Sequence, residues 1–426
     1  MIISFQKARK EYPRQFWLLF WGLLISTSGA SMIWPFLMVY VSGRLHLPLT
    51  AAATIMTINA AAAILFTFVA GPATDRFGRK WVMVISLLGN GLVYILYQEA
   101  STLWQFSIIS ALAGAFNPLF RVGADAMLAD LIPAEKRIDA YSLLRLSNNL
   151  GVSIGPAIGG FLASSSYTIA FLCAAGGMCT YGLMMLILGK ETIPSYKKDQ
   201  KIIKQPSEKF GGYGIIFRDR PYMQFVAVFA LIQICAALVW VLLAVYSKQQ
   251  YGMPENQYGF LPTTNGIMIV LLQLGITNWT RRYPTYSMLA LGSFFYGFAT
   301  LSIAFMTGFW GFWLSMVILT MGEMILMPTS STFAANMAPS DMRGRYMSLY
   351  SLTWGLSMGI GPVLGGLLSD NLGPRTIWYG GGVVGAISVI AFISLKNKYK
   401  DNQPFSNSMY NLALPTEPNI KEPSDL

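Results

Sequence analysis

Four stretches of the 426-residue chain place ionisable side chains where they could do chemistry. Glu323, in "LTMGEMILMPTSS", is the only formal charge between Arg282 and Asp341. A carboxyl in apolar surroundings with no neighbouring cation is suited to taking up and releasing a proton. It is also suited to remaining neutral and hydrogen-bonded as packing beside Pro328. Arg121 and Asp125, in "FNPLFRVGADAM", are four residues apart and share a helix face. Arg145 lies at a similar depth on the following apolar segment. Asp125 reads either as a salt-bridge partner of Arg121 or Arg145, or as a second proton-coupling acid after Glu323. The last stretch, "GPATDRFGRK" (residues 71–80), crowds Asp75, Arg76, Arg79 and Lys80 between two apolar runs.

The remaining chemistry is sparse. The chain has one histidine, His46, and three cysteines, Cys173, Cys179 and Cys235, without ligand-like spacing. No nucleophile–base pair or metal set emerges from these, so neither an enzyme nor a metal centre is expected. No cofactor is called for.

The elements that must position these groups are set by composition. Hydrophobic residues make up 54% of the chain and charged residues 12%, against about 25% charged in soluble domains. The pattern predicts an all-α polytopic membrane protein with about twelve spans, near 15–40, 50–70, 81–99, 104–130, 138–163, 166–189, 221–247, 258–279, 284–306, 309–335, 346–369 and 375–396. A run of about 20 apolar residues crosses a bilayer as a helix, because lipid offers the backbone no other partner. The N-terminal basic-then-apolar order reads as a retained first helix, since no small-residue cleavage site follows at a suitable distance.

Alternate loops differ in charge. One set carries Lys7, Arg9, Lys10 and Arg14, then Arg76, Arg79 and Lys80, Lys136 and Arg137, Arg281 and Arg282, and Arg343 and Arg345. The other set carries only Arg44, Glu99, Lys248, Glu255, Asp370 and Arg375. This bias predicts cytoplasmic termini and a multi-pass protein of the cell membrane. It also accounts for the net charge of +11 without nucleic acid as a partner.

An internal repeat divides the chain. "EKRIDAYSLLRLSNNLGVSIGPAIGGFL" (135–162) lies ungapped on "DMRGRYMSLYSLTWGLSMGIGPVLGGLL" (341–368), with Gly155-Pro156 on Gly361-Pro362 and Gly159-Gly160 on Gly365-Gly366. The expected organisation is a six-helix half at 1–189, a cytoplasmic linker at 190–220, a second half at 221–396 and a disordered tail at 397–426. Parallel six-helix repeats point to a transporter with its site at the midplane between them.

With that topology, "GPATDRFGRK" resembles motif A of the major facilitator superfamily through Gly71, Asp75, Arg76, Gly78, Arg79 and Lys80. "GVSIGPAIGG" (151–160) resembles motif C of its drug–proton antiporter branch. Here Gly151, Gly155, Pro156, Gly159 and Gly160, echoed by Gly361 and Pro362, would form a hinge of close helix contacts. The motif A carboxylate can sit at a helix N-terminus and lock the halves. The resemblance implies that this helix is span 11, and that Arg79 pairs with the acid ending span 4, here Asp130, as a gate latch. The chain departs from the antiporter branch in three places. Span 1 has no acid, Ser110 stands where the motif B arginine is expected, and the second-half counterpart of motif A is reduced to "QLGITNWTRRYP", so no symmetric second latch is expected.

Trp34, Asn59, Asn117, Gln233, Trp240, Asn265 and Trp354 are polar or aromatic within spans, fit either to line a substrate cavity or to pack helix on helix. The resemblance and the buried acid together imply a monomeric, proton-gradient-driven exporter of small lipophilic compounds, working in the bilayer with protons as its coupling partner. An uptake symporter, or a flippase for lipid-like substrates, is the alternative on the same fold.

Overall fold

A computed structural model of the protein describes residues 11–133, 136–192, 213–339 and 342–399. The tail and most of the 190–220 segment lie outside the described residues.

Among the described residues the chain forms long helices without strands. The first half holds α1 (Arg14–Leu45), α2 (Leu49–Phe77), α3 (Arg79–Glu99), α4 (Leu103–Leu131), α5 (Arg137–Ser165) and α6 (Tyr167–Leu188). A short helix, Tyr213–Arg218, leads into the second. There follow α7 (Arg220–Tyr251), α8 (Glu255–Thr280), α9 (Thr285–Ile303), α10 (Gly308–Met337), α11 (Arg343–Leu372) and α12 (Thr376–Tyr399). Eleven of the twelve are long and apolar enough to cross a membrane. The exception is α5, 29 residues long but diluted by Arg137, Asp139, Arg145 and the Ser147-Asn148-Asn149 run.

Helix ends differ from the sequence expectation in an informative way. Residues 71–77 were expected in a turn, yet α2 continues through Phe77. Only Gly78 separates α2 from α3, at φ 102°. The charged residues end the apolar run without breaking the helix, because they lie on helical turns beyond the apolar segment and backbone bonding there is unaffected. In α1 the helix narrows to a 3₁₀ turn at Trp34–Phe36, where Pro35 lacks the donor that the helix would need.

Within the first half α1 packs on α5 and α6, α2 on α4, and α3 on α4 and α6. Within the second, α7 packs on α11 and α12, α9 on α10 and α12, and α8 on α10. The halves meet chiefly along α2–α11 and α5–α8.

Glycines set how closely these helices approach. On α5, a Cβ at Gly151 would meet Thr27, at Gly155 Ser28 and Ser31, and at Gly159 the backbone of Met32, so this face is buried against α1. Gly160 points the other way, onto the backbone of Glu255 at the start of α8, and Gly259 meets the carbonyl of Pro156. Motif C therefore packs on α1 and α8 at once.

The α2–α11 contact widens steadily along its length. A Cβ at Gly366 would lie 2.7 Å from the Thr50 backbone, at Gly359 3.2 Å from Ala60, and at Gly355 3.7 Å from Ile64. At Gly344, on the same face, nothing lies within 4 Å. The halves are thus joined at the end away from the basic loops and parted at the basic end. Phe36 against Tyr258 (centroids 5.8 Å apart), and Tyr167 donating to Glu255 Oε1 at 2.9 Å, close the joined end further.

Overpacking at such contacts costs about 1–3 kcal/mol. Gly159→Val should lower the thermal midpoint of the detergent-solubilised protein by that equivalent, whereas Gly71→Ala, whose Cβ meets nothing within 4 Å, should leave it unchanged.

Candidate functional site

Between the halves lies a cavity of about 500 Å³. The first half contributes Trp34 and Pro35 from α1, Asn117 from α4, and Asn148, Asn149 and Pro156 from α5. The second contributes Trp240 from α7, Asn265 from α8, Glu323 from α10 and Trp354 from α11. Three tryptophans from three helices therefore share a chamber with one carboxylate.

Glu323 is held but not neutralised. Asn265 donates its Nδ2 to Glu323 Oε2 at 2.8 Å and to Thr320 Oγ1 at 3.0 Å. Among the described residues no Lys or Arg nitrogen lies within 4 Å of Glu323. A neutral amide on α8 orients the carboxyl. That bond supplies a donor to the ionised form while leaving the other oxygen available to a proton or a ligand.

Five of the seven expected cavity residues line the chamber: Trp34, Asn117, Trp240, Asn265 and Trp354. The other two do not. Asn59 donates to the Ser110 carbonyl at 2.9 Å and bridges α2 to α4, and Gln233 is buried within α7 at 1% exposure. Sequence reasoning missed Asn148 and Asn149. The signal was present, since two adjacent amides inside a span, one turn before motif C, are costly unless they face water or a partner. Asn148 accepts from Thr27 at 3.2 Å, and Asn117 accepts from Asn90 at 3.3 Å.

Asp125, Arg121 and Arg145 are exposed toward the parted basic end. Neither salt bridge considered for Asp125 forms: among the described residues it has no ion-pair partner within 4 Å. Its backbone carbonyl accepts from Tyr141 at 3.2 Å. Arg145 lies within electrostatic range of Tyr350 on α11, facing the opposite half.

The motif A turn forms a compact charge cluster. The Arg79 side chain is 7% exposed and reaches Asp130 at 3.1 Å, Asp75 at 3.2 Å and the Thr74 carbonyl at 3.2 Å. A guanidinium offers its donors in a fixed fork, which suits such three-way bonding. Asp75 is 71% exposed and turned to Arg79. Among the described residues the implied contact with α11 is not made, because the basic ends of the halves are parted. The first linker residues join the cluster. Glu191 accepts from the backbone N–H of Arg79 at 3.0 Å and of Lys80 at 3.2 Å, and Thr192 donates to Asp130 at 3.1 Å. Gly78 is required on two counts: its positive φ, and the Glu191 carboxylate that occupies the place of a Cβ. Nothing in the basic, polar linker sequence marked Glu191 as the cap of α3.

Comparison with known proteins places this geometry. The model of the Major Facilitator Superfamily matches residues 19–358 and 236–419. The chain belongs to the major facilitator superfamily. It is a multi-pass secondary transporter, not an enzyme. It is 25% identical over 417 residues to a Na⁺, Li⁺, K⁺/H⁺ antiporter of Planococcus maritimus, covering 90% of this chain and 95% of the relative. It is 24% identical over 370 residues to the multidrug resistance protein MdtG of Escherichia fergusonii, covering 84% and 88%. Superfamily structures share the fold. A point mutant of the nucleoside transporter NupG aligns with TM-score 0.76 at 13% identity, over 90% of this chain and all 100% of that one. A peptide transporter POT, solved in complex with sulfate, aligns at 0.74 with 18% identity, over 91% and 94%.

Removing a largely buried ion-pair partner costs about 3 kcal/mol, whereas exposed substitutions cost within about 0.5 kcal/mol. Arg79→Ala should therefore lower the midpoint of thermal unfolding by several degrees, and Arg76→Ala, on the exposed side of the same turn, should not. Parallel melts in one detergent check this.

Proposed function

We propose that the protein is a proton-coupled exporter of small lipophilic compounds, cations above all, acting as a monomer in the cell membrane. One observation carries the proposal: a single carboxylate, Glu323, shares the chamber between the halves with Trp34, Trp240 and Trp354, and among the described residues no cation pairs with it. Aromatic faces attract cations, an apolar wall takes up the rest of a lipophilic molecule, and the acid supplies the counter-charge. The excess of Lys and Arg at the parted end supports a cytoplasmic assignment for that end. The conformation described is then inward-open, with the chamber facing the compartment from which an exporter loads.

The coupling follows from occupancy. Ionised Glu323 holds the cation; a proton arriving on the same carboxylate removes the counter-charge and lets the cation leave. Proton and substrate alternate at one group, and the gradient drives export. Asn265 keeps the carboxylate aimed at the chamber in either state. Asp125, exposed near the basic end, is the second candidate for proton exchange. Arg121 and Arg145 are its nearest candidates for charge partners as the halves move.

A second reading has its own support. The Glu323 carboxylate and the Thr320 hydroxyl meet at one amide nitrogen and so place their oxygens close together on α10, donors suited to a hard cation, and one relative is a Na⁺, Li⁺, K⁺/H⁺ antiporter. Inorganic cations would then be the cargo, with the same acid and the same competition.

Everted vesicles test the function. Addition of a lipophilic cation should discharge an imposed pH gradient only when the protein is present, and Glu323→Gln should abolish that discharge. Binding to the purified wild type should weaken as pH falls, because protonation removes the counter-charge. In Glu323→Gln it should be weak and independent of pH. A response to Na⁺ or K⁺ alone selects the second reading, and pH-driven export that survives Glu323→Gln refutes Glu323 as carrier.

A further inference from the structure

The loop after α11 repeats motif A at the opposite end of the molecule. "GPATDRFGRK" (71–80) lies on "GLLSDNLGPR" (366–375) with no gap, pairing Gly71 with Gly366, Asp75 with Asp370, Gly78 with Gly373 and Lys80 with Arg375. The backbones agree as well. Both helices stop at the aligned glycine, Gly78 at φ 102° and Gly373 at φ 100°. Each glycine N–H bonds the carbonyl four residues back, on Thr74 at 3.2 Å and on Ser369 at 3.0 Å.

The carboxylate of this copy is engaged. Asp370 accepts from the backbone N–H of Leu49 at 3.1 Å, from the N–H of Thr50 at 2.9 Å and from the Thr50 hydroxyl at 2.6 Å. These are the first residues of α2, in the other half of the molecule. The residue preceding α2 is Pro48, which gives the helix no side-chain cap. Its exposed N–H groups and the positive end of its dipole are satisfied by an acid some 320 positions away in sequence.

At the basic end the relation is inverted. Among the described residues Asp75, near the C-terminus of α2, pairs with Arg79 of its own half, and Met342, which precedes α11, gives that helix no side-chain cap. Because α2 and α11 are antiparallel, each ends in an acid that belongs at the other's start. Among the described residues only the Asp370 contact is made in this conformation.

We infer that Asp370 is the outer latch of the transport cycle, a motif A copy that caps α2 when the outer end is closed and releases it when Asp75 engages α11. The counterpart stands after α11, not in the reduced stretch between α8 and α9, where no symmetric latch is expected. The inference does not depend on what is carried or which way.

Accessibility of the chamber from outside reports the balance. In full-length protein lacking its native cysteines, Ser31→Cys lines the chamber and reacts with a membrane-impermeant maleimide only when the outer end opens. Asp370→Asn should raise that rate about fivefold in right-side-out vesicles, because one accepting oxygen becomes an amide nitrogen and the charge at the helix dipole is lost. Thr50→Val removes one of the three bonds and should give a smaller rise, so the test stands even if Asp370→Asn folds poorly. Asp75→Asn should lower the rate. Unchanged labelling in both Asp370→Asn and Thr50→Val, or a shift of Asp75→Asn in the same direction as Asp370→Asn, overturns the inference.

Discussion

The contact between the halves is the constraint on which the rest of the molecule depends. Lipid surrounds both halves equally, so no hydrophobic gain drives them together, and they are held by close backbone packing and a few polar anchors. Glycines on α5, α8 and α11 supply the packing; Asp370 on α2 and Glu255 beside Tyr167 supply the anchors. Such an interface is strong where it is closed and inexpensive to part. Closing it at one end and splaying it at the other leaves a chamber at the middle, which is where Glu323 and the tryptophans lie.

The same constraint orders the charges. Arg79 sits within the half, bonded to Asp75 and Asp130 and roofed by Glu191 and Thr192. That arrangement keeps a largely buried cation satisfied while the basic ends are apart. Glu323 is satisfied differently, by a neutral amide, and so stays available to whatever enters the chamber. Structural charge is paired with charge, and the charge facing the chamber is paired with a dipole.

Much of this was legible in the chain. Span number, the two related halves and the Arg79–Asp130 pair follow from apolar runs, the internal repeat and motif A. The isolation of Glu323 on α10 marked it as a carboxyl without a cation, and packing shows that it faces the chamber. Asn59 and Gln233 were misplaced because a polar residue in a span looks the same whether it bonds a neighbouring helix or faces a cavity, and only packing distinguishes them. Glu191 was hidden because a cap is defined by where the chain returns, not by its local sequence. The copy of motif A after α11 does not stand at the equivalent loop of the second half, because the antiparallel pairing of α2 with α11 places it at the opposite face.

The central claim is that transport requires the contact between α2 and α11 at the end away from the basic loops to open. The side chains of Thr50 and Asp370 meet there at 2.6 Å, so cysteines at both, in a background without Cys173, Cys179 and Cys235, should cross-link readily. The measurement is turnover in proteoliposomes before and after oxidation, and again after reduction. Loss of transport on cross-linking, with ligand binding retained and transport restored by reductant, is the predicted result. Full turnover with the cross-link in place would contradict it.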